Sequence, residues 1–280
     1  MRTFVMGDIH GAHKALQQCL ERSAFERNKD ILIQLGDIAD GFGEVYDCVE
    51  ELLKIPNLIA IKGNHDEWLN TFIRTAWHPK GWMFGGASTA LSYLRVIGKE
   101  NKLLASGNGY KTALNPGDIP ESHQQFFRRQ QLYFIDDLNN CYVHGGFDRH
   151  QEFKGQRPEI YYWDRELWSA ALSYNAFERH QKGKGKFQMI PEFNEIFIGH
   201  TSTMNWKTDK PMKAANIYNL DTGSGNVGRL TILDVESKQI WQSDPVEELY
   251  GHNSIFNSTP PAEPFASSDH LPLWQVRRGD

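Results

Sequence analysis

The chain predicts an α/β fold, and three observations carry that reading. Short apolar runs rich in strand formers lie at 2–6, 31–35 and 58–62. Stretches at 12–25 and 43–55, with apolar residues at helical spacing, separate them. Each run stops on a glycine followed at once by Asp or Asn, at Gly7-Asp8, Gly36-Asp37 and Gly63-Asn64. Ligands of open α/β sheets bind at the carboxyl ends of the strands, so these turns are candidate chemistry.

The first run, Arg2 to Met6, leads into Gly7-Asp8-Ile9-His10-Gly11. The flanking glycines let the backbone bend tightly and bring Asp8 and His10 to one point, where the pair can hold a metal ion. The same pentapeptide taken alone also fits an ordinary turn with a surface histidine. The helix after it should bury Ala12, Leu16, Cys19, Leu20 and Ser23. Ile31 to Leu35 is the second strand and ends in Gly36-Asp37-Ile38-Ala39-Asp40-Gly41. The next helix should bury Val45, Cys48, Val49, Leu52 and Leu53. Leu58 to Lys62 is the third strand and ends in Gly63-Asn64-His65-Asp66. Two right-handed crossovers set these strands parallel, with all their turns on one edge.

Residues from about 67 to 131 break the rhythm and predict a helical insertion over that edge. It holds Trp68, Trp77 and Trp82, which would either stack a base or fill core. Its Gly85-Gly86-Ala-Ser-Thr89 segment reads as a glycine-permitted helix start. Leu132–Ile135 and Asn140–Val143 predict an antiparallel pair, the second running into His144-Gly145-Gly146. A second helical insertion spans about 147 to 190, amphipathic from Ile160 to Phe177. Its Gly183 to Lys186 run, alternating Gly and Lys, reads as a solvated loop or a weak guide for anions. Ile196–Ile198 leads into Gly199-His200-Thr201, Ala215–Leu220 into Asp221-Thr222-Gly223, and Arg229–Trp241 closes as a hairpin. Residues 1–251 form the expected domain, and 252–280, aperiodic and rich in Ser and Pro, a peripheral or disordered tail.

Composition excludes several classes. Hydrophobic content of 40% and charged content of 23% over 280 residues are ordinary for a globular protein. A net charge of -5 argues against non-specific nucleic-acid binding. Cys19, Cys48 and Cys141 are too few and odd for a disulfide framework and point to a reducing compartment. No stretch approaches the roughly 18 apolar residues of a membrane span. The first strand begins at residue 2, before any signal peptide would fit, so a cytoplasmic protein is expected.

The ordered set GD-H, GD-D, GNHD, HGG and GHT resembles the calcineurin-like metallophosphoesterases, in particular their serine/threonine-phosphatase-like bacterial and phage branch. The resemblance covers residues 2 to about 234, and the branch's similar Gly-Gly-x-x-Thr segment implies a place in the substrate cleft for 85–89. It implies a four-layer α/β/β/α sandwich of two mixed sheets and a phosphatase with a binuclear metal centre. Asp8, His10 and Asp37 would hold one divalent ion, while Asp37 bridges to a second held by Asn64, His144 and His200. The mixed oxygen and imidazole set suits manganese, iron or zinc better than calcium, and manganese is the expected ion. His65 would be the general acid, oriented by Asp40. The branch's GDxxDRG arginine is missing, because Gly41 and Phe42 follow Asp40. Arg165, in a Trp-x-Arg setting, is the remaining phosphate-binding candidate; its other reading is a helix-surface salt bridge with Asp164 or Glu166. Expected substrates are a phosphoprotein, phosphopeptide or nucleotide. The alternatives are a nucleotide pyrophosphohydrolase or phosphodiesterase, and a non-catalytic metal-binding scaffold. His13, His78, His123, His150, His180, His252 and His270 lack a strand-end motif and are read as ordinary surface or core histidines.

Overall fold

The computed structural model describes residues 1–79, 82, 85–106, 109–181 and 190–251, so the Gly183 to Lys186 run and the 252–280 segment lie outside the described residues. Strands β1 (Thr3–Met6), β2 (Ile31–Gln34) and β3 (Leu58–Ala60) are parallel neighbours, with Phe4 opposite Leu32 and Ile33 opposite Ile59. Helices α1 (His13–Arg22) and α2 (Val45–Leu52) are the crossovers. β11 (Thr231–Asp234) joins β1 antiparallel, and β12 (Ile240–Gln242) pairs with β11, giving the order β12-β11-β1-β2-β3.

The first insertion holds α3 (Asn64–Thr75), α4 (Gly86–Val96), the hairpin β4 (Leu103–Ser106) and β5 (Gly109–Thr112), and α5 (Glu121–Arg129). The hairpin corrects the all-helical expectation for this region. The Gly107-Asn108-Gly109 turn triplet between strand formers was its signal in sequence. β6 (Tyr133–Ile135) and β7 (Cys141–Val143) form the predicted antiparallel pair. After the second insertion, with α6 (Pro158–Trp163) and α7 (Glu166–Gln181), comes β8 (Ile196–Ile198). The second sheet then runs β6-β7-β8-β10-β9, where β9 (Met212–Ala214) and β10 (Ile217–Asn219) form a hairpin. Helix α8 (Val246–Tyr250) follows β12, and Tyr250 stacks on Phe42 at 4.4 Å.

Both sheets are mixed, and three cores separate four layers. Side chains alternate across a strand. Phe4, Met6 and Leu32 therefore enter a core with α1, α2 and the first insertion, while Val5, Ile33 and Leu35 enter one between the sheets. The inter-sheet core is completed by Tyr142 and Phe197 of the second sheet, stacked at 5.0 Å. α6 and α7 cover the outer face of the second sheet through Tyr161, Leu167 and Trp168. Strands covered on both faces read as continuous apolar runs, which is how they stood out in the sequence.

The helix faces hold one correction. Leu53 is 44% exposed, and Glu51 is buried in the α2 stripe instead. Arg27 and Lys54 both pair with the Glu51 carboxylate, which makes its burial tolerable.

Candidate active site

Asp8, His10, Asp37, Asp40, Asn64, His65, His144 and His200 all follow strand ends and meet where the two sheets' carboxyl edges face each other. His10, Asp37, Asp40 and His200 sit in the left-handed backbone region, with φ of 50°, 53°, 69° and 66°. That conformation costs a non-glycine residue roughly 1–3 kcal/mol and concentrates at functional sites. Loop-to-loop hydrogen bonds hold it in place. Ile9 and His10 donate their N–H groups to Asp37 O at 3.0 and 2.8 Å, and Gly11 N–H reaches Ile38 O at 2.9 Å. Asp66, which the sequence reading passed over, is the main brace. Its carboxylate accepts the N–H groups of Ile38, Ala39 and Gly63 at 2.9, 3.0 and 3.2 Å and the Gln130 amide at 2.7 Å. Its signal was its place as third residue of α3, where an acid reaches back to the helix cap.

Asp37 is the centre of the arrangement. One possible ligand group is His10, Asp37 and His65, another is Asp37, His144 and His200, and within each the donor atoms lie within 4.8 Å. His10 places Nδ1 3.1 Å from Ala39 O, and His144 places Nδ1 2.7 Å from Leu35 O. Their Nε2 atoms are thereby aimed at Asp37 Oδ2, at 3.7 and 3.3 Å. Asn64 Oδ1 lies 3.2 Å from His144 Nε2. Asp8 joins neither group; its carboxylate accepts the His200 N–H at 3.1 and 3.3 Å. A Cβ on Gly63 would overlap the Asp37 carboxylate, and one on Gly199 would overlap that of Asp8, so close approach requires glycine at both positions.

Burial and crowded charge set the protonation pattern. Burial pushes Asp8 well above the usual carboxylate range, helped by Asp221 and Asp37. Burial and Asp37 also lift Asp221 to about 6. Burial drives His10 down to about 4, and burial and the Arg165 charge hold His200 well below the ordinary imidazole value. Burial would raise Asp37, but His144, His65 and His10 outweigh it and hold that carboxyl low. Burial would lower His65, yet Asp37 and Asp40 outweigh it and lift the imidazole to about 9.

The residues fit a divalent metal. His200 Nε2 is buried without a hydrogen-bond partner among the described residues. Neutral imidazoles with Nδ1 fixed by a carbonyl are ready ligands. The mixed carboxylate, amide and imidazole set suits transition metals.

His65 is bound to a second layer. Its Nδ1 lies 2.6 Å from Asp40 Oδ2. The other Asp40 oxygen accepts Trp82 Nε1–H at 2.8 Å and the Thr89 hydroxyl at 2.6 Å, while Thr89 Oγ1 accepts Asp40 N–H at 2.9 Å. Gly85 packs so close that a Cβ there would lie 2.9 Å from Asp40 Cβ. The Gly85–Thr89 segment thus starts α4, as one reading of the sequence held, and clamps Asp40, which neither reading foresaw. Trp82 is core and not a stacking surface.

Arg165 turns toward the site. Its Nη1 donates to His200 O at 3.1 Å and Thr201 Oγ1 at 3.2 Å. Asp164 serves another purpose, accepting Leu167 N–H at 2.9 Å near the start of α7. Gly41, at the position of the GDxxDRG arginine, has φ +75 and leaves a Cβ only 2.7 Å from His10 Cβ and O, so a larger residue there would displace His10. Of the histidines without a strand-end motif, His123 is buried between Tyr93 at 3.1 Å and Glu50 at 2.8 Å, and His78 bonds Tyr110 at 2.6 Å.

With this geometry established, comparison with known proteins identifies the family. The family model for calcineurin-like phosphoesterases matches residues 1–204. The chain belongs to the calcineurin-like phosphoesterases. As a phosphoesterase it is a phosphoric ester hydrolase of a family that uses divalent metal ions. It is 26% identical over 233 residues to serine/threonine-protein phosphatase 2 of Escherichia coli K12, covering 83% of this chain and 92% of that one. It is 22% identical over 290 residues to the symmetrical bis(5'-nucleosyl)-tetraphosphatase of Haemophilus ducreyi, covering 87% and 99%. A crystal structure provisionally described as a diadenosine tetraphosphatase shares the fold, with a TM-score of 0.56 at 15% identity over 87% of this chain and 93% of that one. Among the described residues, no helix of this phosphoesterase is long and apolar enough to cross a membrane.

Proposed function

We propose that the protein hydrolyses phosphomonoesters at a binuclear metal site of the serine/threonine-phosphatase type. The observation that carries this reading is Asp37, whose carboxylate belongs to both ligand groups, with the His65–Asp40 pair beside it. Asp8, His10 and Asp37 would hold one ion, and Asp37, Asn64, His144 and His200 the other. Bound there, two divalent ions supply Lewis acidity and an activated water at neutral pH.

The chain's own residues do the rest. The hydrogen bond from His65 Nδ1 to the Asp40 carboxylate favours the doubly protonated ring. With Nδ1 engaged by Asp40, Nε2–H is the proton given to the leaving oxygen. Asp40 fixes the ring, and Trp82 and Thr89 fix Asp40. Arg165 grips the phosphoryl oxygens in a charge-assisted hydrogen bond, the part left to it by the glycine at 41.

A substrate panel tests this reading. Purified protein supplied with manganese should hydrolyse a phosphoseryl peptide and p-nitrophenyl phosphate better than diadenosine tetraphosphate. The reverse order would make it a nucleotide pyrophosphohydrolase, and no turnover on any of them would leave a metal-binding scaffold.

A further inference from the structure

Five aromatic rings form an arc at the site. His10 and His65 lie 5.0 Å apart, His65 and Trp68 4.7 Å, Trp68 and Trp163 5.5 Å, and Trp163 and His200 5.7 Å, measured between ring centroids. The two indoles come from different insertions: Trp68 from α3, one turn after His65, and Trp163 from the end of α6, two residues before Arg165. Trp68 is half-buried, and Trp163 is 42% exposed. Trp82, by contrast, is fully buried and bonded through its indole N–H. The Trp68–Trp163 pair therefore presents aromatic surface to water beside His65 and His200.

We infer that this pair is a lip that selects phosphomonoesters carrying an aromatic ring one or two bonds from the ester oxygen. The inference rests on the phosphomonoesterase reading above. An ester gripped at Arg165, with its leaving oxygen at His65, has the first atoms of its leaving group beside Trp68 and Trp163. A flat ring there is covered on apolar and aromatic surface at once and takes up offset or edge-to-face contacts. The short His65–Trp68 separation sets the reach. A ring joined directly or through one carbon meets the lip, whereas a base held off by a ribose passes beyond it.

The test compares benzyl phosphate with cyclohexylmethyl phosphate, two esters of similar size whose leaving alcohols are alike in basicity. The lip predicts a kcat/KM about tenfold higher for benzyl phosphate, the scale of one good aromatic contact. Trp163→Ala, at an exposed position that tolerates truncation, should bring that ratio close to one, and Trp68→Leu should do the same from the other side. Adenosine 5'-monophosphate should show no advantage over the cyclohexyl ester. Free phosphotyrosine and a phosphotyrosyl peptide, run alongside, separate a small-molecule source of the ring from a protein source, and both should weaken in Trp163→Ala. Equal efficiency on the benzyl and cyclohexyl esters, or a preference that survives both substitutions, overturns the lip while leaving the phosphomonoesterase reading intact. No turnover of any monoester overturns both.

Discussion

The two insertions reach the same site from opposite sides. The one between β3 and β6 works from behind: Trp82 and Thr89 are buried, and their polar atoms go to Asp40. The one between β7 and β8 works from the front: Trp163 stands in water beside His200, and Arg165 holds the backbone after β8 while keeping a charge at the site. A buried hydrogen-bonded clamp suits a residue that must hold one geometry, whereas an exposed indole and guanidinium suit contact with something that comes and goes. Breaking the first insertion should therefore damage proton transfer, and breaking the second should damage substrate binding.

The largest expected effect lies at the tip of the first region. His65→Asn should lower kcat on an alkyl phosphate on the order of 10²–10⁴-fold, the range for a positioned acid. p-Nitrophenyl phosphate, whose leaving group departs without a proton, should lose much less. Equal losses on both would make His65 a ligand or organiser. In the second region, Arg165→Ala should raise KM and cut kcat/KM by about 10–100-fold, the worth of a charged hydrogen bond, with metal content unchanged. Unaltered kinetics would reduce Arg165 to a tether of the His200 turn. Thr89→Val should repeat the His65 pattern more mildly, with alkyl phosphate kcat falling more than nitrophenyl phosphate kcat. A uniform fall on both substrates would show the clamp to be structural only.

The smallest effect is on stability. Burial raises Asp164, near the start of α7, from the ordinary 3.8 to about 6. The folded chain then binds this proton more tightly than the unfolded one. Its stabilising contribution is full below 3.8 and is lost as pH rises through about 6. Asp164→Asn should flatten the change in Tm between those two values relative to the parent, and identical Tm profiles would contradict it.

The strand-end candidates were legible because their signal is local: a short apolar run, a glycine, then the candidate residue. The sandwich of two mixed sheets followed from the order of those motifs through the family resemblance. The clamp was not legible, because Thr89 and Asp40 are 49 residues apart and nothing near either one announces the other. Asp66 was hidden for a related reason, since four groups from the loops after β2 and β3 and the end of α5 meet on it only in the folded chain. Glu51 was missed because helical spacing ranks burial by apolarity, and Arg27 and Lys54 changed that ranking by pairing with it. Gly41 could be read as a missing arginine; the structure adds its close approach to His10.

The central claim is that Asp37 organises two metal ions that the hydrolysis requires. Metal content by plasma mass spectrometry, measured with phosphomonoester turnover on the parent and on Asp37→Asn, tests it most directly. The account predicts two transition-metal ions per parent chain, with metal and turnover falling together in Asp37→Asn because the carboxylate common to both ligand groups has lost its charge. An Asp37→Asn protein that turns over substrate at the parental rate without bound metal would contradict it.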